Sequence, residues 1–203
     1  MLFRSNDYGK CPQNTASLFN GYVVYELPFG HGRQFASNIN RLEDLAIGGW
    51  RVSTSFVLHS GFAQTIFANS DTSGTGGFST RANCNFGVPS TVPMVFNPNT
   101  QLLTFLNPAA VSEPANGTFG NCPVGAFDGP DYKSADLSVA KDFSITERHK
   151  LEFRMDAVNI FNHPIFNFGQ EFDGQHTAGA SNYGQIDSSQ GSRQIQFALK
   201  YTF

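Results

Sequence analysis

Five histidines, His31, His59, His149, His163 and His176, are the side chains best suited to hold a transition metal. A structural or catalytic metal site needs its ligands at helix or finger spacing, so that their donor atoms converge on one ion. No pair has that spacing, and scattered polar histidines are the better reading. The three cysteines, Cys11, Cys84 and Cys122, contain no C-x-x-C pair for zinc or redox chemistry. Cys84 and Cys122 share one long loop and can pair in an oxidising compartment. Two isolated thiols is the alternative. Asp136 with Asp142, and Glu152 with Asp156, are the kind of carboxylate pair that glycoside hydrolysis uses. Within each pair, however, the residues share a strand face, and Arg154 stands between Glu152 and Asp156. A charge network fits better than a catalytic pair. GTGG at Gly74 to Gly77 lacks the strand-to-helix frame of a phosphate loop. Ser60 precedes Gly61, but no G-x-S-x-G elbow surrounds it. The expectation is a chain without catalytic, cofactor or metal residues.

The elements that carry these residues are unusual. The 203 residues suit one domain of ordinary size. Charged residues make up 14%, against roughly 25% in soluble domains. Aromatics also reach 14%, dominated by 21 Phe. A net charge of −3 gives no basic excess for nucleic acid. No stretch approaches the roughly 20 apolar residues of a membrane helix. The mean hydropathy of −0.24 describes a soluble chain only if alternation is ignored. A strand that shows lipid one face and water the other averages to nothing on such a scale. The opening MLFRSNDYGK has no apolar run and no small-residue cleavage site. If the chain is exported, Met1 is expected not to be the true start of the functional protein.

Five strands alternate with period two. They are expected near 18–27, 49–59, 132–143, 150–161 and 193–203. The first is imperfect: Phe19, Val23, Tyr25 and Leu27 share one side, but Tyr22 and Val24 join Asn20 and Glu26 on the other. Pro28 ends it, because proline cannot donate to a ladder. The second sets Trp50, Val52, Thr54, Phe56 and Leu58 against Arg51, Ser53, Ser55 and His59. In the third, Ala135, Leu137, Val139 and Phe143 oppose Ser134, Asp136, Ser138 and Asp142. In the fourth, Leu151, Phe153, Met155 and Ala157 oppose Lys150, Glu152, Arg154 and Asp156. Ile195, Phe197, Leu199, Tyr201 and Phe203 form the stripe of the last. Glu152, Arg154 and Asp156 are therefore candidate lumen-facing residues. Trp50, Phe143 and Phe161 fall at strand ends, where interfacial aromatics sit.

The connectors are unequal. A helical turn or two is expected before Gly48, with Asn40 as cap, Glu43 completing a capping box, and Leu42, Leu45 and Ala46 on one face. The turn from Ser144 to His149 is short and polar. By contrast, 61–130 and 162–192 are rich in Gly, Asn and Ser, and read as long loops without pattern, although short elements can hide there, for instance at Pro108 to Ser112. Outer-membrane barrels have short periplasmic turns and long outer loops. That asymmetry makes the Ser144 turn, the Gly30 to Gly48 connector and the C-terminus periplasmic. The fold class expected is all-β: antiparallel strands of a partial transmembrane barrel with long extracellular loops and one short helix in a periplasmic connector.

Four segments carry a resemblance: VVYELPFGHGR (Val23 to Arg33), GGWRVSTSFVLHSGF (Gly48 to Phe62), DLSVAKDFSITERHKLEFRMDAVNIFNHPIF (Asp136 to Phe166) and SRQIQFALKYTF (Ser192 to Phe203). In this order they resemble the C-terminal barrel region of the Oar-like TonB-dependent outer-membrane receptors. The run from Lys141 through NIFNHPIF is the most distinctive. Phe197, Leu199, Tyr201 and the terminal Phe203 also resemble the signal read by the barrel assembly machinery. The resemblance implies a larger barrel, of about 22 strands, in the bacterial outer membrane. Its other parts would be further strands, a plug, and a TonB contact in an N-terminal portion that this chain lacks. The partners implied are membrane lipid, those parts and the assembly machinery, and no nucleic acid. The function implied is non-catalytic: lining a lumen and presenting outer loops for solute binding or uptake.

Two other readings use the same residues. A secreted all-β binding or adhesin module would bury both apolar faces against each other. An oligomeric barrel would take a few strands from each chain, which an odd strand number makes awkward.

Overall fold

A computed structural model describes residues 7–77, 80–146, 148–169 and 173–203. The Met1 reading and Glu147 of the short turn fall outside these residues.

The long strands are Leu18–Glu26, Trp50–His59, Tyr132–Ser144, Lys150–Val158 and Gln194–Thr202. They form one five-stranded sheet in which each lies beside its sequence neighbours. Among the described residues nothing closes this sheet; the first and last strands are its edges. Two pairings show how the alternation is kept in register. Phe153 faces Lys141 on one side and Leu199 on the other, and Glu152 faces Asp142 and Lys200. Directly paired residues share a face, so an apolar and a polar face run across three strands, with Lys141 standing on the apolar one. The imperfect first strand joins through aromatic packing: Phe19 stacks on Phe56 at 5.5 Å between ring centroids. Gly21 makes room for that ring, because a Cβ there would lie 2.3 Å from Phe56.

The short helix spans Arg41–Ile47. Its capping box is complete: Asn40 Oδ1 accepts from the Glu43 N–H at 2.9 Å, and Glu43 Oε2 accepts from the Asn40 N–H at 3.1 Å. Gly48 closes it, but in an extended conformation; the left-handed residue is Gly49, at φ +70°. The helix spans Leu42, Leu45 and Ala46, the residues of the expected apolar face, but that face is not buried. Leu42 is exposed and no helix residue is buried, so the caps hold this helix more than packing does. The fourth strand also stops early, at Val158, which leaves Phe161 in the following turn, 79% exposed.

The chain divides into two compact units. One consists of Phe19–Leu58, Lys133–Pro164 and Gly191–Phe203 and holds the sheet and helix; it is the wall unit. The other consists of Met1–Leu18, His59–Tyr132 and Ile165–Gln190; it is the loop unit. The loop unit corrects the expectation of long patternless loops. Leu102–Leu106 pairs with Thr91–Asn97 and with Gln185–Ile186, joining the two loops in one small sheet. Ala63–Gln64 pairs with Phe127–Asp128, and Asn83–Cys84 with Val111–Ser112. A 3-10 turn at Pro108–Ala110 leads into the last of these, so short elements do stand at Pro108 to Ser112. Ile66, Leu106, Cys122 and Ala178 are fully buried in a core that also takes in Phe105, Phe168 and Tyr183. Cys84 and Cys122 form a disulfide inside it, and Cys11 is free.

Candidate functional site

The polar face of the sheet is a network of charges. Arg51 reaches Asp142 at 4.0 Å and Glu152 at 3.7 Å. Arg154 donates to Asp156 at 2.8 Å. Asp136 accepts the Asn159 N–H at 2.9 Å and the Ser55 hydroxyl at 3.4 Å. Of these groups, Ser55, Asp136, Arg154 and Asp156 border a cleft of about 380 Å³, lined also by Tyr22 and Gln196. The acid pairs weighed for hydrolysis lie on this face, with Arg51 between Asp142 and Glu152 and Arg154 beside Asp156. Such an arrangement presents alternating fixed charge to water.

The opposite face is carbon. Phe197 and Leu199 are 64% and 67% exposed, and Ile195, Tyr201 and Phe203 are exposed beside them. An apolar stripe of this extent is not tolerated in water without a cover.

Lys141 breaks the stripe. It stands on the apolar face, yet it is buried. Its Nζ donates to the Gly48 carbonyl and lies 4.9 Å from the ring centroids of both Trp50 and Phe143. Two of the aromatics expected at the interface thus form the walls of a cation site. Lys141→Met should lower stability by about 2 kcal/mol, from the lost charged hydrogen bond and cation–π contacts. The check is a urea titration followed by Trp50 fluorescence; an unchanged midpoint would mean that the ammonium contributes nothing.

The histidines do not converge. His59 stacks on Tyr132 at 4.8 Å, and His149 accepts or donates at 2.6 Å with the Tyr201 hydroxyl. The His31 N–H donates to Asp44, and the His163 N–H to Asn159. The reading of scattered polar histidines fails for His176: it is fully buried, packs edge-on against Phe168 and bonds Gln64 through Nε2 at 2.7 Å. It is a core residue of the loop unit. Among the described residues, no three His, Cys, Asp or Glu side chains are grouped to hold a metal.

Two features had no assigned role in the sequence. The first is the Asn-Ile-Phe-Asn-His-Pro run at Asn159. Asn159 and Asn162 are both left-handed, at φ +49° and +51°. Asn159 is 2% exposed, and its side chain bonds both His163 and Gly191, while Asn162 Oδ1 accepts the Arg193 N–H at 2.9 Å. The run ties the end of the fourth strand to the start of the fifth. Two asparagines flanking a strand end are the signal that points to it.

The second is Asp71, which opens the glycine-rich turn. Its carboxylate accepts from Ser73 Oγ at 2.5 Å, Gly76 N–H at 2.7 Å and Thr80 Oγ1 at 3.2 Å. The Ser73 hydroxyl, followed by the Gly76 amide, holds its pKa below the usual carboxylate range. Because the folded value is depressed, its contribution is intact above the ordinary carboxylate pKa. It is lost as pH falls through the depressed value. Limited proteolysis should therefore show the 71–77 turn opening only in acid, and opening at neutral pH in Asp71→Ala. Equal resistance of the variant at pH 7 would count against this role.

A family model described as an outer membrane beta barrel domain matches residues 2–196. The chain belongs to that family. Comparison with curated proteins and with solved structures finds no match. Membership places this barrel domain in the bacterial outer membrane. It also accounts for an antiparallel sheet with one apolar and one polar face, left open as a part of a barrel.

Proposed function

We propose that this barrel domain is a wall segment of an Oar-like TonB-dependent receptor, non-catalytic, whose outer loops take up or bind a solute. The observation that carries the reading is the contrast between connectors. At one end of the third and fourth strands the chain turns within a few residues, with the Ile145 N–H donating to the His149 carbonyl. The loops leaving the other end fold together around a disulfide-closed core. An ordered loop body suits recognition, since binding residues tend to sit on loops. The four resembling segments point to the same family of receptors.

On this reading the apolar face meets lipid, Trp50 and Phe143 sit at the interface, and Glu152, Arg154 and Asp156 line the lumen. Phe161 would stand beyond the strand rather than at its end. Phe197, Leu199, Tyr201 and Phe203 would be the stripe that the assembly machinery reads. The plug, the remaining strands and the TonB contact would belong to other parts of the receptor.

The test compares solute depletion from the medium by cells with the gene intact, with the gene deleted, and with TonB deleted. The receptor reading expects at least one solute whose uptake falls in both deletions. Uptake that survives loss of TonB while still requiring this gene would replace it with a passive pore.

A further inference from the structure

The connector between the first two strands is longer than a chain reversal requires. It holds a loop and the short helix, stitched to each other and to the sheet by polar contacts. The His31 N–H of the loop donates to Asp44 of the helix at 2.6 Å. Trp50 Nε1–H donates to the Ala46 carbonyl at 3.1 Å, and the Lys141 ammonium donates to the Gly48 carbonyl. Trp50 and Lys141 are side chains of the apolar face, so the C-terminal end of the helix stands on that side of the wall. At the other end, Arg41 donates to the Ile145 carbonyl at 2.6 Å, in the short turn beyond Phe143. Ile145 continues the parity of Val139, Lys141 and Phe143.

The carbon of this region is left uncovered. Leu42 is 79% exposed, and Phe29, Phe35, Ile47 and Ile145 are exposed as well. The capping box satisfies the backbone at the helix start, so the helix stands without burying its leucine. Single exposed apolar side chains are ordinary on a protein surface. These stand beside Trp50 and Phe143, at the rim of the face that a membrane barrel turns to lipid. Arg41 and Glu43 are exposed on the same helix. A short element that shows carbon and charge together suits the boundary between headgroups and acyl chains, where each kind of side chain finds its own surroundings.

We propose that this connector docks on the phospholipid surface at the short-turn end of the barrel, with Leu42 and Ile145 entering the acyl border and the Arg41 guanidinium facing the phosphates. The inference deepens the wall reading, and it rests on that reading's statement that the apolar face meets lipid.

The experiment places one fluorescent label at a time on the full chain, returned to vesicles of phosphatidylethanolamine and phosphatidylglycerol. Cys84 and Cys122 are paired, so Cys11→Ser supplies a background without free thiols. Leu42→Cys carries the first label. Ile145→Cys carries the second and decides the matter if the first variant does not assemble. Ile195→Cys, on the exposed apolar face of the last strand, reports the wall itself. One quencher is a phospholipid with a nitroxide near its headgroup; the other is acrylamide dissolved in the water. The Leu42 and Ile145 labels should lose most of their emission to the nitroxide lipid and little to acrylamide. Stronger quenching by acrylamide would overturn the proposal, because the connector would then face water. Protection from both quenchers would overturn it too, and would mean that protein covers this surface. A lipid-quenched Ile195 label with an unquenched Leu42 label would remove the docking and keep the wall. An Ile195 label quenched only by acrylamide would remove the wall reading, and the docking with it.

Discussion

Asn159→Ala is expected to destabilise the wall unit by about 4 kcal/mol, as the sum of two effects. The first is polar. Asn159 Oδ1 accepts the His163 N–H at 3.0 Å, and Nδ2 donates to the carbonyls of His163 and Gly191. The residue is 2% exposed, so water cannot replace these bonds once the amide is gone. The second is conformational. At φ +49° asparagine is tolerated, whereas alanine carries a penalty of roughly 1–2 kcal/mol. Asn159→Gly separates the two, since it relieves the backbone and still lacks the amide. Asn159→Asp keeps the acceptor and loses both donations. The order of stability should be wild type, then Asp or Gly, then Ala. Trp50 is the only tryptophan and lies in the wall unit, so its fluorescence in urea reports the right transition. A midpoint for Asn159→Ala close to that of the wild type would mean that the turn holds without this side chain.

Reducing the disulfide should have an effect of similar size in the other unit. Cys84 and Cys122 are 38 residues apart in sequence, and closing a loop of that length is worth about 4 kcal/mol on the chain-entropy account. The bond also sits in the core, with Cys122 fully buried and Cys84 nearly so. A Cys84→Ser and Cys122→Ser double variant therefore also places two hydroxyls among carbon atoms. The expected outcome is selective. Proteolysis should cut within 59–132 in the variant and in reduced protein, while the Trp50 signal persists. Identical digestion patterns with and without reductant would show that the loop core stands by itself.

The wall was legible in the sequence because each strand repeats one physical rule over about ten residues. Trp50 to His59 and Lys150 to Val158 carry the alternation almost without exception. Boundaries suffered where polar turns began: Phe161 continues the apolar count, yet Asn159 has already turned the chain. The helix was legible from its caps, and the face that carries Leu42 is left exposed. Lys141 sits on the apolar parity, where a lysine looks like an irregularity until Trp50 and Phe143 are brought beside it.

The loop core was illegible for a different reason. Ile66, Leu106, Tyr183 and Ile186 come from short pieces with no shared period, and they meet only through pairing across two loops. Only the cysteines announced the closure. His176 shows the same limit, since nothing in its neighbours signals that Phe168 and Gln64 will enclose it.

Lys141 has a consequence for how the wall sits in the bilayer. A sheet with a uniform apolar face can slide along the membrane normal at little cost, because lipid wets one strip of carbon as readily as the next. A cation fixed within the stripe removes that freedom. Driving it toward mid-bilayer approaches a penalty of about 2–4 kcal/mol for a lysine on the lipid side. Drawing it outward would lift Trp50 from the headgroup level proposed for its ring. With Trp50 and Phe143 at the interface, as proposed, the two costs would oppose each other, and these two rings with Lys141 would act as a spring with a rest position, setting the height of the barrel wall.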